Sequence, residues 1–313
     1  MSALICGSFA YDTIMVFHDQ FKKHILPDKV HMLNVSFLAP KLRREFGGCA
    51  GNIAYNLKLL QGEPIPMGTV GDDFSSYRGW FIEKDIPLQY VRLIDNTYTA
   101  QAFITTDIDS NQITVFHPGA MNFSHENRIE DANKNKDIDI GIISPDGRDG
   151  MIQHAKQFHE AGIPFIFDPG QGLPMFSEKE LLSFVQQATW ISMNDYEAHL
   201  FQERTQLSIE ELAKQVKAFI VTQGGDGSTI YTEGKELKIP SAKAALVSDP
   251  TGCGDAYRAG LLYGISCDMD WENTGRIASL LGAIKIESHG TQNHHFKLTE
   301  FWDRFRDSFG YCL

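Results

Sequence analysis

Four short apolar runs between Asp137 and Gly225 decide the fold: "DIDIGIIS" (137–144), "IPFIFDPG" (163–170), "TWISMN" (189–194) and "AFIVTQGG" (218–225). Each run is typical of a strand, and a helical or loop segment follows it. Apolar strands that alternate with helices predict βαβ units and a mostly parallel sheet covered by helices on both faces. We therefore predict an α/β fold.

Two other regions, near residues 12–46 and 97–118, are rich in β-strand patterns. The first contains "MLNVSFL" (32–38) and "KLRREF" (41–46), and the second reads as a hairpin, "YTAQAFITTD" and "QITVFHPG" joined by "IDSN". Ligands of open α/β sheets bind beyond the carboxyl ends of the strands, so these regions predict a small sheet that acts as a lid there. No linker divides the chain, and residues 1–313 are predicted to form one domain.

The composition of the chain limits the classes of molecule that it can bind and the compartment in which it is expected. The 313-residue chain has a net charge of −12, which argues against nucleic acid or an anionic membrane as the main partner. Its five cysteines are scattered, without a C-x-x-C pair, which favours a reducing compartment without structural zinc. The start "MSALICGSFAYD" lacks the pattern of a signal peptide, and no stretch is apolar enough to span a membrane. We expect a soluble, cytoplasmic protein.

The stretch "DPTGCGDAYRAG" (249–260) places small residues before a helix expected from Ala256. It is not a P-loop, because the pattern G-x-x-x-x-G-K-[ST] is missing from the sequence. It is not a dinucleotide fingerprint either, because Tyr257 stands where the third glycine of that fingerprint belongs. Successive N–H groups of small residues at a helix start form a nest for an anion. Asp255 either caps this helix or accepts a proton from a hydroxyl that attacks phosphorus, and both roles stay open.

Four other segments carry polar residues or glycines, and three of them have two interpretations each. In "EFGGCAGN", Gly47 and Gly48 allow close approach of a ligand and Asn52 suits sugar hydroxyls, or the glycines form a loop and Asn52 caps the helix. Asp12 is either a carboxylate in a buried strand junction that needs hydroxyl partners, or a surface residue. "NDYE" (194–197) is a magnesium-water site or a capping box, and "VTQGGDGS" (221–228) alone is a hairpin signal.

The order of these segments resembles the ribokinase-like (PfkB) family of carbohydrate and nucleoside kinases over nearly the whole chain. The resemblance runs from "GSFAYD" (7–12) through "GGCAGNIA" (47–54), "VGDDF" (70–74), "NDYE" and "TQGGDG" (222–227) to "DPTGCGDAYRAG". Gln61, before the glycine expected to stop the first helix (Gly62), stands where the family has glycine or serine. Cys253 replaces the usual alanine or glycine; it is small enough for the nest, and its thiol adds sensitivity to oxidation.

The resemblance implies roles position by position. Asp255 would be the base for a ribose 5′-hydroxyl, and the N–H groups of Gly252, Cys253 and Gly254 would form the anion hole. Asp12, Gly48 and Asn52 would hold the ribose beside Gly47, and the nucleobase would lie against Ser8, Ser36, Phe116 and Gln171. Asn194 and Glu197 would order Mg²⁺ and its waters, and Asn194, Thr222, Gly224 and Gly227 would bind ATP. Family members often bind a monovalent cation, here K⁺ at the carbonyls of Asp249 and Thr251.

Within the family, "FGGCAGNIAYNL" (46–57) and "TTDIDSNQITVFHPGAM" (105–121) are most similar to bacterial adenosine kinases. The implied reaction is phosphorylation of the adenosine 5′-hydroxyl by ATP, giving AMP and ADP, as in purine salvage. Two alternatives stay open: a kinase of ribose, inosine, guanosine or another ribosyl substrate, and a non-catalytic nucleotide-binding regulator. Phe103 and Phe116 favour a nucleoside, whose base offers a flat face for stacking, unless they are ordinary hairpin hydrophobics.

Some features receive no role from the sequence. The chain is expected to be a monomer or a homodimer, because lid sheets of this family close over their own site or pair with another chain. Whether Arg43 or Arg44 reaches the phosphates is open, and so is the role of the histidines His294 and His295, which are expected to be exposed.

Overall fold

The computed structural model describes residues 2–25, 34–109, 111–134 and 138–313, which form two β-sheets and a set of helices. The strands are β1 (Ser2–Cys6), β2 (Ala10–Val16), β3 (Lys41–Gly47), β4 (Glu63–Val70), β5 (Tyr90–Leu93), β6 (Ala100–Thr106), β7 (Gln112–His117), β8 (Ile140–Ile143), β9 (Phe165–Phe167), β10 (Trp190–Asn194), β11 (Ala218–Thr222), β12 (Ser228–Thr232) and β13 (Lys235–Ile239). The α-helices are α1 (Cys49–Leu59), α2 (Ser75–Glu83), α3 (Ile129–Asn133), α4 (Arg148–Glu160), α5 (Glu178–Gln187), α6 (Asp195–Thr205), α7 (Ile209–Ala213), α8 (Cys253–Ser266), α9 (Trp271–Ile286) and α10 (Leu298–Phe309).

The large sheet has the strand order β13-β12-β11-β10-β9-β8-β1-β4-β5. Its strands from β11 to β5 are parallel, and β12 and β13 continue it antiparallel at one edge. The predicted parallel sheet is confirmed, including the strands expected in all four apolar runs, although Asp137 at the start of the first run lies outside the described residues.

Side chains of the parallel strands alternate between two hydrophobic cores, one on each face of the large sheet. In β1, Ala3 and Ile5 belong to the core formed with α1, α8 and α9, whereas Leu4 and Cys6 belong to the core formed with α4 and α5. Strands that are apolar on both faces have no reason to alternate polar and apolar residues, which explains their continuous apolar runs. The prediction of helices on both faces is confirmed.

The small sheet has the order β3-β2-β6-β7 and begins directly after β1. The expected hairpin is β6 and β7, paired antiparallel, and "KLRREF" is β3; Ser110 in the connection lies outside the described residues. The expectation of a strand over "MLNVSFL" is wrong for its described part, because residues 34–38 form no strand. Phe37 instead packs its ring 4.9 Å from the rings of both Phe17 and Phe21.

The end of α1 differs from its prediction by one residue. Gln61 takes the left-handed backbone conformation, with φ of 61°, and not Gly62. The N–H of Gln61 donates to the Lys58 carbonyl and that of Gly62 to the Leu57 carbonyl, both at 2.9 Å. This is the Schellman pattern, in which the left-handed position normally holds glycine. None of the helices in the described ranges is long and apolar enough to cross a membrane.

We expect the substitution Gln61→Gly to stabilise the protein by about 1 kcal/mol, because a side chain in the left-handed region costs about that much. The measurement is the midpoint of urea unfolding at unchanged slope. The matched control is Gln202→Gly inside α6, which should lower the free energy of unfolding by about 1 kcal/mol. A lower midpoint for the Gln61 variant would contradict the assignment of strain.

Candidate active site

The predicted site residues gather at the edge of the large sheet where the parallel strands end. Ser8 follows β1, Gln171 follows β9, and the last residues of β10 and β11, Asn194 and Thr222, are direct neighbours in the pairing of those strands. The first turns of α1 and α8 reach the same region, since Asn52 in α1 contacts Asp255 in α8. Carboxyl ends of parallel strands are where ligands of open α/β sheets bind.

Asp12 lies inside β2, as expected of an acid within a strand run, although not at the junction between two strands; the alternative of a surface loop is wrong. Burial, together with the negative charges of Asp249 and Glu45, raises the pKa of Asp12 to about 6. Among the described residues, no N–H or O–H group donates a hydrogen bond to its carboxylate. A Cβ atom on Gly47 would lie 2.8 Å from Asp12 Oδ2, so glycine leaves this carboxylate room. A carboxylate without donors at a partly buried position calls for a polar ligand.

Phe116 shares one face of the small sheet with Asp12. The strand register places Glu45, Asp12, Ala102 and Phe116 side by side across β3, β2, β6 and β7. Phe116 stands two strands from Asp12, a spacing of about 10 Å. Its side chain is 46% exposed, so an aromatic surface is available on the face that carries the carboxylate.

Gly48 lets β2 and α1 approach each other closely. It has a φ of 88°, and a Cβ atom there would lie 2.5 Å from both the Ser8 carbonyl oxygen and the Ala10 nitrogen. Gly48 is also the residue that caps α1, and the Ser8 hydroxyl accepts a hydrogen bond from the Cys49 N–H at 3.2 Å. The interpretation of Asn52 as the cap is therefore wrong, because Asn52 lies within α1 and is buried.

Asp255 is positioned by Asn52, whose Nδ2 donates to Asp255 Oδ2 at 2.8 Å. The helix α8 begins at Cys253 with Gly252 as its cap, earlier than the predicted start at Ala256, so the capping role considered for Asp255 is wrong. Burial raises the pKa of Asp255 to about 6, against the lowering effect of the Asn52 hydrogen bond. A carboxyl group with this pKa is ionised at neutral pH and is a stronger base than an ordinary aspartate.

Of the three N–H groups predicted to form an anion hole at the start of α8, two have no acceptor in the described chain and one has. Gly252 has a φ of 80°, and within the described chain no acceptor is bound by the N–H groups of Gly252 and Gly254. The Cys253 N–H, in contrast, donates to the Pro250 carbonyl at 3.2 Å. Burial raises the pKa of the Cys253 thiol to about 11. The thiol is therefore protonated at neutral pH, which disfavours the predicted oxidation because the thiolate is the reactive form.

A buried ion pair behind Asp255 was missed by the sequence analysis. Arg258 Nε and Nη2 donate to the two carboxylate oxygens of Asp168 at 2.9 and 3.1 Å, and both side chains are buried. Arg258 Nη1 also donates to the Gly254 carbonyl at 3.3 Å. The pair ties the end of β9 to the first turn of α8. Its only sequence signals are an aspartate directly after an apolar strand and an arginine one helical turn after Asp255.

Asn194 and Glu197 form a complete capping box at the start of α6. The Asn194 side chain accepts from the Glu197 N–H at 2.7 Å, and Glu197 Oε2 accepts from the Asn194 N–H at 2.8 Å. Burial and the charge of Asp168 raise the pKa of Glu197. Oε1 of this half-buried carboxylate is outside the capping box. In the described ranges no cluster of three or more histidine, cysteine or acidic side chains forms a metal site.

The nucleotide-binding prediction also named Gly224 and Gly227. The two glycines lie in the turn between β11 and β12, and both have positive φ. This antiparallel pair confirms the hairpin signal of "VTQGGDGS". The turn follows Thr222 at the carboxyl edge of the sheet. Thr222 pairs with Asn194 there, so the two glycines are close to Asn194 along the chain that leaves β11.

Asp249 and Thr251 form a tight loop before α8. The Asp249 carboxylate accepts from the Thr251 N–H and the Gly290 N–H, each at 3.0 Å. The Asp249 carbonyl accepts from Lys285 Nζ at 2.7 Å. Lys285 was not anticipated, because the sequence shows only a lysine near the end of a helix.

The structure leaves two predicted nucleobase contacts, Ser36 and Gln171, exposed at the surface. Ser36 lies in an irregular segment, and Gln171 is the second residue of a 3-10 helix, Gly170–Met175. Both are exposed, and neither makes a hydrogen bond to another predicted site residue within the described part of the chain. Their roles stay predictions.

The segment before α10 supports Asn52. Gln292 Nε2 donates to Asn52 Oδ1 at 3.0 Å, and Gln292 is buried. The expectation that both histidines of this segment are exposed is wrong for His294, which is buried with Nε2 at 2.8 Å from Asn56 Oδ1; His295 is exposed. Burial lowers the pKa of His294 to about 3, so it stays neutral.

The two arginines of β3 point to opposite faces. Arg43 lies on the Asp12 face, with Nη2 at 3.9 Å from Asp249 Oδ2. Arg44 lies on the other face, where its guanidinium covers the Tyr11 ring at 3.6 Å. Of the two, Arg43 is the cation on the side of the site.

Comparison with known proteins places these features in a family. The model of the pfkB family carbohydrate kinases matches residues 9–297. The nucleoside kinase of Burkholderia thailandensis, solved in complex with inosine, is 49% identical with a TM-score of 0.89 over 99% of both chains. Its complex with ADP-inosine is 51% identical with a TM-score of 0.87, over 99% of this chain and 97% of that one.

More distant proteins support the same family and fold. The nucleoside kinase of Methanocaldococcus jannaschii is 34% identical over 263 residues, which are 83% of this chain and 85% of that protein. The ribokinase of Thermotoga maritima is only 20% identical and shares the fold, with a TM-score of 0.80 over 97% of this chain and 99% of that one. With its parallel sheet, flanking helices and small antiparallel sheet, the chain has the ribokinase-like fold and belongs to the pfkB family of carbohydrate kinases.

Proposed function

We propose that this protein is an ATP-dependent nucleoside kinase that phosphorylates the 5′-hydroxyl of adenosine, giving AMP and ADP. The observation that carries the proposal is the position of Asp255, a half-buried carboxylate held by Asn52 beside the N–H groups of Gly252 and Gly254, which bind no acceptor in the described chain. A base next to an anion-binding helix start is the arrangement that phosphoryl transfer to a hydroxyl requires.

In this mechanism Asp255 accepts the proton of the 5′-hydroxyl while the hydroxyl oxygen attacks the γ-phosphorus of ATP in line. The N–H groups of Gly252 and Gly254 and the positive end of α8 stabilise the charge on the transferring phosphoryl group. The contribution of the Cys253 N–H requires that its 3.2 Å hydrogen bond to Pro250 open. Positioning and charge stabilisation supply most of the acceleration.

The substrate site rests on Asp12. Its carboxylate lacks donors in the described chain, and the vicinal hydroxyls of a ribose supply two. Gly47 and Gly48 leave room for the sugar, and Asn52 adds an amide next to Asp255. Phe116, on the same face as Asp12, supplies a stacking surface for a base, and Ser8, Ser36 and Gln171 complete the proposed nucleobase pocket.

We assign the binding of the co-substrate ATP to the edge of the large sheet at the ends of β10 and β11. ATP lies along Asn194, Thr222, Gly224 and Gly227. Glu197 would hold a water of Mg²⁺, an ion that prefers substrate phosphates and one or two carboxylates to a cage of protein ligands alone. Mg²⁺ would neutralise charge on the phosphates.

The small sheet is proposed to be the lid of a single kinase domain that spans residues 1–313. Lid closure would exclude water, which otherwise competes as the phosphoryl acceptor. All five cysteines are free thiols, which fits a reducing, cytoplasmic compartment. A monomer and a homodimer both fit these features.

A second substrate, inosine, is favoured by a specific observation: the Burkholderia thailandensis kinase was solved with inosine at 49% identity. The features that bind ribose and phosphate do not distinguish the two bases. A non-catalytic regulator is disfavoured, because Asp255 and its N–H donors are intact.

The proposal is tested with purified protein, ATP–Mg²⁺ and a panel of adenosine, inosine, guanosine, ribose and fructose 6-phosphate. We expect the highest kcat/KM with a nucleoside, adenosine first, because Phe116 offers a stacking surface for a base and the bare sugars have no base to stack. A preference for inosine would replace the nucleobase assignment, and a preference for a bare sugar would remove the nucleoside assignment while leaving the kinase.

We expect Asp255→Asn to lower kcat by about 10²- to 10⁴-fold, the range of general-base catalysis. Asparagine can still accept the Asn52 hydrogen bond, so the melting temperature and adenosine affinity should change little. The control is Asp195→Asn, an exposed acid at the start of α6, which should retain full activity. Full activity of the Asp255 variant would remove this residue as the base.

We expect Phe116→Ala to raise the KM for adenosine about tenfold, because one lost stacking contact is worth about 1–3 kcal/mol, and to leave the KM for ATP unchanged. The matched control is Val115→Ala, whose side chain is exposed on the opposite face of β7. An adenosine KM that stays the same in the Phe116 variant, or that rises equally in both variants, would contradict stacking.

A further inference from the structure

Lys285 is a buried lysine in the last turn of α9 whose ammonium group has an unusual environment. Its side chain is fully buried, and Nζ donates to the Asp249 carbonyl at 2.7 Å and to the Ser288 carbonyl at 3.3 Å. In the described ranges no carboxylate forms an ion pair with it. Lysines are almost never fully buried without a charged partner. Here two backbone carbonyls accept from Nζ; burial lowers the pKa of Lys285, and the negative charges of Asp249 and Asp255 favour its charged form.

Lys285 is fixed to the loop that precedes α8. The Ser248 and Asp249 N–H groups donate to the Ile286 carbonyl at 2.9 and 3.1 Å. The Asp249 carboxylate binds the N–H groups of Thr251 and Gly290. These contacts place the ammonium directly behind the turn that leads into Gly252 and the N–H groups of the anion hole.

This environment does not fit the monovalent cation that the family resemblance predicts at the carbonyls of Asp249 and Thr251. The Asp249 carbonyl already accepts a hydrogen bond from the ammonium. A K⁺ ion at the same oxygen would lie within a few ångströms of a second positive charge, and like charges so close and so buried repel strongly. The lysine therefore supplies the positive charge that the ion would bring.

We infer that the Lys285 ammonium is a built-in monovalent cation of the anion-hole loop, so that the protein takes up no K⁺ there and its phosphoryl transfer needs none. The statement about transfer rests on the proposed function, whereas the statement about K⁺ uptake does not. The ammonium orders the Asp249 carbonyl and adds positive charge behind the site of the transferring phosphoryl group.

The first test compares the unaltered protein in tetramethylammonium chloride and in KCl at equal ionic strength, with ATP added as its Tris salt. We expect kcat with adenosine to agree within about twofold. We also expect the melting temperature without nucleoside or ATP to agree within about 1 °C, because an ion that the native state does not bind cannot stabilise it. Strong activation by K⁺, or a clear rise of the melting temperature, would overturn the inference.

When the ammonium of Lys285 is removed and space is left, we expect the protein to respond to K⁺. Lys285→Ala frees the carbonyls and leaves space, so K⁺ should raise its melting temperature by about 2–4 °C and restore much of its lost activity. Lys285→Met fills the space without a charge, so neither quantity should respond to K⁺. Lys243→Ala, which removes an exposed lysine, is the matched control and should behave as the unaltered protein.

A lysine that only caps the end of α9 predicts a different pattern. Both Lys285 variants would then lose stability equally, in either salt, and that result would overturn the inference. If a variant does not fold, the comparison of the unaltered protein in the two salts still decides. The melting measurements use no substrate, so an absence of kinase activity would count against the proposed function and leave the conclusion on K⁺ readable.

Discussion

The hydrogen bond from Asn52 to Asp255 joins two helices that lie far apart in the sequence, and the site depends on it. Gly48 lets α1 start against the backbone of Ser8 and Ala10, where a side chain would clash, and so brings Asn52 into place. Gln292 donates to Asn52 Oδ1, and this contact orients the Asn52 amide so that its Nδ2 points at the Asp255 carboxylate. The interaction thus converts the packing of α1 against α8 into a defined orientation of Asp255.

Positive charge in the site comes from inside the protein, although the chain is strongly acidic. Arg258 neutralises Asp168 behind α8, and Lys285 supports the loop before it. Both side chains are buried, so salt screens their charges poorly; Arg258 balances the charge of Asp168, and Lys285 has only backbone carbonyls as hydrogen-bond partners in the described chain. Net charge therefore predicts the absence of broad polyanion binding and says little about a local phosphate site.

The residues that sequence reasoning located are those whose chemistry is local. The apolar strands, the glycines beside helix starts and the acid after the nest were recognised because their patterns are short. The capping roles considered for Asn52 and Asp255 were wrong, since Gly48 and Gly252 hold those positions by their backbone conformation. Arg258, Lys285 and Gln292 escaped notice because their partners, Asp168, Asp249 and Asn52, are distant in sequence. No local pattern reports such contacts.

The raised pKa values of Asp12 and Asp255 have a consequence for stability. Both groups titrate near pH 6 in the folded chain, against 3.8 as ordinary aspartates, so the folded state holds these protons more tightly than the unfolded state. These two groups therefore cost no stability below pH 4, and above pH 6 each ionised carboxylate lowers the free energy of unfolding by about 3 kcal/mol. A ligand whose hydroxyls donate to Asp12 would recover part of that cost and lower its pKa. Binding near pH 6 would then release protons, and the affinity of such a ligand would rise with pH through this range.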